Sequence, residues 1–135
     1  MFEQQHDLHG HADELEAIRL LLARYCFLID RDRDPEAIVR LFAPDGSWEG
    51  LGQGRKQGAA LREFMEQVTS ADVRMQHIVS GPEIRINGDM ACARSSLLVV
   101  KVGPPPELLF TGIFDDTFRR IDGQWLFKSR SVVTP

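Results

Sequence analysis

The chain has 135 residues, 43% apolar and 27% charged, which is enough for one domain with a buried core and too apolar for a disordered chain. A net charge of −4 and a pI near 5.5 argue against a nucleic-acid or anionic-membrane surface, since either needs clustered Lys and Arg. Small molecules or proteins are the expected partners. Cys26 and Cys92 lie in apolar segments and read as small buried hydrophobes rather than a disulfide or metal framework. With no signal-peptide pattern at Met1-Phe2-Glu3 and no apolar run of spanning length, a cytoplasmic protein is expected, with neither membrane nor nucleic acid as partner.

Residues 1–11 are polar and carry His6, His9 and His11, a grouping that could grip a transition metal only if it were held still. A terminus of this composition is expected to be mobile, so no metal is assigned. The folded domain is expected over 12–135. Leu15, Ile18, Leu22, Cys26 and Ile29 recur at helical spacing and predict a first helix over 12–29. Asp30 follows the apolar Phe27-Leu28-Ile29. A carboxylate there is either a solvated cap or a group held against a cavity.

Asp34-Pro35-Glu36 is a helix start, with Ile38, Leu41 and Phe42 as the buried stripe and Pro44-Asp45-Gly46 as the stop. Ser47-Trp48-Glu49 reads as a short strand. The glycines from Gly50 to Gly58 invite a phosphate-loop reading, but their spacing fits neither the dinucleotide nor the Walker pattern. They are read as a turn into a third helix with Leu61, Phe64, Met65 and Val68 on its apolar face. Beyond Ala71 the period changes, and 73–79, 83–86, 90–102, 108–121 and 125–133 read as strands separated by Gly, Pro and Asn-Gly punctuation. Helices followed by an antiparallel meander make an α+β fold. Leu97 to Val100 and Trp125 to Phe127 are apolar on both strand parities, so both sheet faces are expected to be covered. Three helices cannot cover both, which predicts a homo-oligomer, dimer or trimer, packed through the outer sheet face.

His77 shares a strand face with Val73, Met75 and Val79, while Arg74 and Gln76 point away. An imidazole on an apolar face is either a core histidine satisfied by a carbonyl or, if Asp30 reaches it, the base of an acid–imidazole dyad. Asp115 and Asp116 are strand neighbours facing opposite ways and cannot share a substrate atom. Asp116 is expected to pair with Arg130 as a structural ion pair. Trp48, Phe64, Phe110, Phe114 and Phe118 are core or pocket lining, and Tyr25, the only tyrosine, either packs or holds a substrate oxygen. Ser95 and Ser96 have no adjacent base and give no sign of a nucleophile.

Taken in order, Tyr25 and Asp30 before Asp34, Leu41-Phe42-Ala43-Pro44-Asp45, Gly54 and Gly58 opening the third helix, Gln76-His77, Gly112-x-Phe114-x-Asp116-x-Phe118, Asp122-Gly123-x-Trp125 and Arg130 form a pattern. Over about 12–134 it resembles the SnoaL-like branch of the nuclear-transport-factor-two-like superfamily, which includes polyketide cyclases, ketosteroid isomerases, scytalone dehydratase and hexachlorocyclohexane dehydrochlorinase. The resemblance implies a cone, in which a strongly curved, mostly antiparallel sheet wraps the helices around an apolar pocket. It also implies that Asp30 and His77 act there as the dyad of a β-elimination, as in the dehydratase and the dehydrochlorinase. The remaining candidates for the pocket wall are Tyr25, Trp48, Phe64, Leu97, Lys101, Phe114, Asp116 and Arg130. Scytalone dehydratase uses a tyrosine pair and a second, later histidine, whereas here Tyr25 stands alone and no histidine follows His77. Trp48 lies where the dehydrochlorinase has a pocket tryptophan. The expected activity is a cofactor-independent lyase acting on a small apolar molecule, with Tyr25 or Lys101 helping the departing group. The alternatives are an isomerase or aldol-type cyclase using the same dyad, and a binding protein without catalysis.

Overall fold

The computed structural model describes residues 8–135. Helix α1 (Leu8–Phe27) starts ahead of the expected position and does not stop at Ile29; it widens into a π-helical turn, Leu28–Asp32. Ile18, Leu21, Leu22, Tyr25, Leu28 and Ile29 form its buried stripe, so packing against the sheet rather than intrinsic propensity holds this helix. The grouping of His6, His9 and His11 falls partly outside the described residues. Among the described residues no cluster of His, Cys, Asp or Glu could hold a metal.

Arg33, with φ 54° and ψ 53°, ends the π-helical turn. Asp34 then caps α2 (Pro35–Val39), its Oδ1 accepting from the Ala37 N–H at 3.1 Å, as the Asp-Pro signal predicts. This helix is shorter than expected. Phe42 does not complete its stripe but opens β1 (Phe42–Gly50), and Pro44-Asp45-Gly46 lies inside that strand. Pro44 has no N–H for a ladder, and the pairing with β6 slips between Phe42↔Phe127 and Ser47↔Ser129, a bulge where a stop was expected. Gly46 is required there, since a Cβ would lie 2.8 Å from the Phe127 carbonyl oxygen and 2.9 Å from that of Ala43.

A short strand β2 (Lys56–Gln57), not foreseen from the sequence, pairs with β1 ahead of α3 (Gly58–Ser70), which buries Leu61, Met65 and Thr69. The meander β3 (Met75–Asn87), β4 (Met90–Lys101), β5 (Glu107–Ile121) and β6 (Gln124–Val133) follows. The two strands expected over 73–79 and 83–86 are one strand, β3, with an irregularity between Ser80 and Glu83 where Gly81 takes φ 61°. The sheet order is β2-β1-β6-β5-β4-β3. The β1–β6 pairing is parallel and the others antiparallel, so the fold is α+β with a mixed sheet.

Two consequences of this order matter for function. β3 is an edge strand, and α1 runs beside it. The inner sheet face carries Leu97, Val99, Phe114, Phe118 and Phe127, all buried with Ile18, Tyr25, Ile38 and Met65 in one core. By register the outer face carries Ile78, Leu98, Val100, Ile113 and Val133 towards the Lys101 end of β4 and Glu83, Arg94 and Asp115 beyond it.

The bulge gives a stability prediction. Gly46→Ala should lower the unfolding free energy by about 1–3 kcal/mol, because backbone atoms and not a flexible side chain must move; urea unfolding measures it, and an unchanged midpoint would contradict the close approach.

Candidate functional site

The π-helical turn carries Asp30 past the end of α1 to the start of β3. There its Oδ2 accepts the His77 backbone N–H at 2.6 Å, and its Oδ1 lies 2.7 Å from His77 Nδ1. Arg74, just before β3, donates to the Asp30 carbonyl oxygen at 2.9 Å. Arg74 therefore does not point away from the dyad as strand alternation suggested; β3 begins at Met75, so alternation does not govern it. Residues 74 to 77 thus grip Asp30 through its main chain and both carboxylate oxygens.

The side chains of His77 and Asp30 are 11% and 13% exposed, so their contact lies in a medium of low dielectric, where a charge-assisted hydrogen bond is worth about 1.5–3 kcal/mol. Both carboxylate oxygens are acceptors here, so His77 Nδ1 is the donor, and in the neutral ring Nε2 keeps its lone pair. The ring lies nearly parallel to Phe114, at 9° and a centroid separation of 6.4 Å.

The dyad opens on a cleft of about 560 Å³ between α1 and β3, lined by Arg19, Leu22, Ala23, Cys26, Phe27, Asp30 and Arg31 on the helix side and by Met75, Gln76, His77, Val79 and Pro82 of β3, with Val102 closing one end. That volume lies within the range of small-molecule sites. Cys26 is no nucleophile in it, because burial pushes the thiol pKa up to about 11 and leaves no useful thiolate at neutral pH.

The other expected wall residues lie elsewhere. Tyr25, Trp48, Leu97, Phe114, Asp116 and Arg130 are buried in the core. Phe64 packs on Trp48 at 4.3 Å, and Lys101 lies on the surface 3.7 Å from Glu107. Burial raises the Tyr25 pKa far above its ordinary value, so it stays a neutral phenol, and neither it nor Lys101 lines the cleft. Apart from Asp30 and His77, the sequence singled out none of the cleft residues as a site wall, and Gln76, expected to point away, lines it. The i, i+4 row 19, 23, 27, 31 on α1 was a legible signal for four of them.

Behind the dyad, Asp116 and Arg130 face each other across β5 and β6 with Oδ1 and Nε 3.0 Å apart and both side chains fully buried. The contact is electrostatic, for no polar atom of either side chain has an aligned hydrogen-bond partner. The guanidinium instead lies against aromatic rings, 3.4 Å from the Phe114 centroid, 4.3 Å from Tyr25 and 4.8 Å from Phe127. Burial pushes the Asp116 carboxyl up to about 7 against the pull of Arg130.

Residues 10–131 match the SnoaL-like domain family. Among solved structures, a protein of unknown function from Mycobacterium tuberculosis is 27% identical, with a TM-score of 0.87 over 98% of this chain and 78% of its own. A candidate scytalone dehydratase from Novosphingobium aromaticivorans is 25% identical, with a TM-score of 0.82 over 95% of this chain and 88% of its own. LinA shares the fold at 21% identity, with a TM-score of 0.80 over 96% of this chain and 90% of its own. No curated protein matches the chain.

The Asp116 carboxyl gives the site a pH signature. The folded chain holds this proton to about pH 7, whereas an unfolded Asp releases it near 3.8; the folded state binds more protons in between, so this group's contribution to stability falls as pH rises through that window. Asp116→Asn should flatten the decline in thermal-melt series across it, and an unaltered slope would contradict the assignment.

Proposed function

This chain belongs to the SnoaL-like domain family, and from that premise we propose that it is a cofactor-independent lyase that eliminates water or hydrogen halide from a small, largely apolar molecule. His77 is the base and Asp30 its orienting partner. Nε2 takes a proton from one carbon, the C–H electron pair becomes the new double bond, and the departing group leaves the adjacent carbon with the bonding pair. The observation that carries this reading is that both oxygens of Asp30 are spent on His77 in an apolar cleft. That arrangement fixes the tautomer, stabilises the imidazolium that forms and limits water around it. The likeness to the candidate scytalone dehydratase supports the same chemistry.

One feature favours a second reading. Among the described residues lining the cleft, no acid other than the dyad itself is available to protonate a leaving hydroxyl. An isomerase or aldol-type cyclase, in which His77 takes a proton beside a carbonyl and returns it, needs no such acid. Product analysis separates the two, since elimination releases water or halide and isomerisation releases nothing.

We also assign the outer sheet face to a second copy of the chain. Ile78 and Val133 are 45% and 42% exposed there, and Leu98, Val100 and Ile113 lie between or beside them by register. An apolar set of this kind, interspersed with Ser96 and Thr111 and bordered by Glu83, Arg94 and Asp115 of both signs, suits a self-complementary contact.

On the best substrate found among β-hydroxy ketones, β-halo ketones and halogenated rings, His77→Ala should lower kcat by about 10²–10⁴-fold, and Asp30→Asn by a comparable factor, with the fold intact by circular dichroism. Full turnover by His77→Ala would leave the cleft as a binding site only. Sedimentation should give a dimer or trimer at micromolar concentration and a monomer for Leu98→Asp; a wild-type monomer would refute the assembly.

A further inference from the structure

The cleft is longer than the dyad requires. Its α1 wall runs from Arg19 to Arg31, a span of about 18 Å at the helical rise, with Asp30 and His77 at one end. The stretch between is apolar, with Leu22, Cys26 and Phe27 across from Met75 and Val79. Of the ionic groups in the lining, Asp30 is committed to His77 through both oxygens. Arg19 and Arg31 are not so committed. Arg31 has no ion-pair partner among the described residues, and Arg19 meets only Glu16 at 4.0 Å, with side chains 49% and 74% exposed, a contact worth little and easily exchanged. The chain as a whole carries −4, so two guanidinium groups on an apolar cleft do not reflect a generally basic protein.

We propose that the ligand of this cleft is an amphipathic anion, a medium-length unbranched apolar chain ending in a carboxylate, with the carboxylate on Arg19 and the chain running along the apolar wall towards His77. Arginine pairs with a carboxylate through two N–H donors at once. The carboxylate sits at the Arg19 end because Arg31 adjoins Asp30, whose negative charge the dyad needs and which repels a second anion. Arg19 lies about 16 Å along the helix from Asp30, beyond a screening length of about 8 Å, so an anion there does not oppose the proton transfer. An anchor remote from the reacting carbon also supplies binding energy for positioning.

The inference rests on reading the cleft as the substrate site, but not on elimination, and its readout is binding rather than turnover, so the two stand or fall separately. Titration calorimetry with octanoate and with octanamide, equal in length and differing in charge, tests it. The acid should bind about two- to fivefold more tightly. Arg19→Gln should bring octanoate down to the level of octanamide, and Arg19→Lys, which keeps the charge, should retain part of the preference. Equal affinities in the wild type, no saturable binding of either probe, or a preference lost in Arg31→Gln but kept in Arg19→Gln would overturn the proposal.

Discussion

The contact on which the rest depends is the one between the Asp30 carboxylate and His77. One oxygen takes the ring Nδ1–H and the other the backbone N–H, so the same group orients an imidazole and satisfies a main-chain donor of β3, which lies at the sheet edge. An unpaired donor on an edge strand is a liability; here a helix end covers it. The π-helical turn is what lets α1 deliver the carboxylate. Ile29 is buried and Asp30 is not, so the widened turn carries the chain from core to cleft within one residue, a use of π-helical geometry often met at functional sites.

Support for the dyad comes from a layer that does not touch the cleft. Phe114 lies parallel to the His77 ring and carries the Arg130 guanidinium at 3.4 Å from its centroid. Arg130 is in turn held against Asp116, Tyr25 and Phe127. A buried acid–guanidinium contact of this kind contributes little net stability, but removing one partner leaves the polar atoms of the other stranded in the core. Its consequence for the site is rigidity: the ring behind His77 is held by a fully enclosed guanidinium, and an imidazole backed in that way keeps its orientation.

Much of this was legible in the sequence, and the limits have physical causes. Hydrophobic periodicity located α1, α3 and the meander, and the Asp34-Pro35 signal placed the α2 cap, because these depend on spacing that neighbours on the chain decide. Phe42 and Pro44-Asp45-Gly46 were misread as the end of a helix because a bulged strand paired in parallel with β6 is specified by a partner about 80 residues away in sequence. Gly81-Pro82 looked like a turn between two strands for a similar reason; the register with β4 runs through it. Asp30 and His77 were singled out as residues out of keeping with their apolar surroundings, and that singling-out needs no tertiary information. The shape of the cleft does need it. Tyr25, Trp48 and Phe114 were indistinguishable as core or wall until the helices packed on the sheet, whereas Arg19 and Arg31 became visible only when α1 lay beside the edge strand.

Asp30 fixing one tautomer of His77 is the central structural claim, and nitrogen-15 NMR of the histidine ring reads it directly. The structure predicts that the neutral ring of His77 carries its proton on Nδ1 and leaves Nε2 bare, with this tautomer lost in Asp30→Asn. A neutral ring carrying its proton on Nε2 in the wild type would contradict it, since the nitrogen assigned as the base would then already hold a proton.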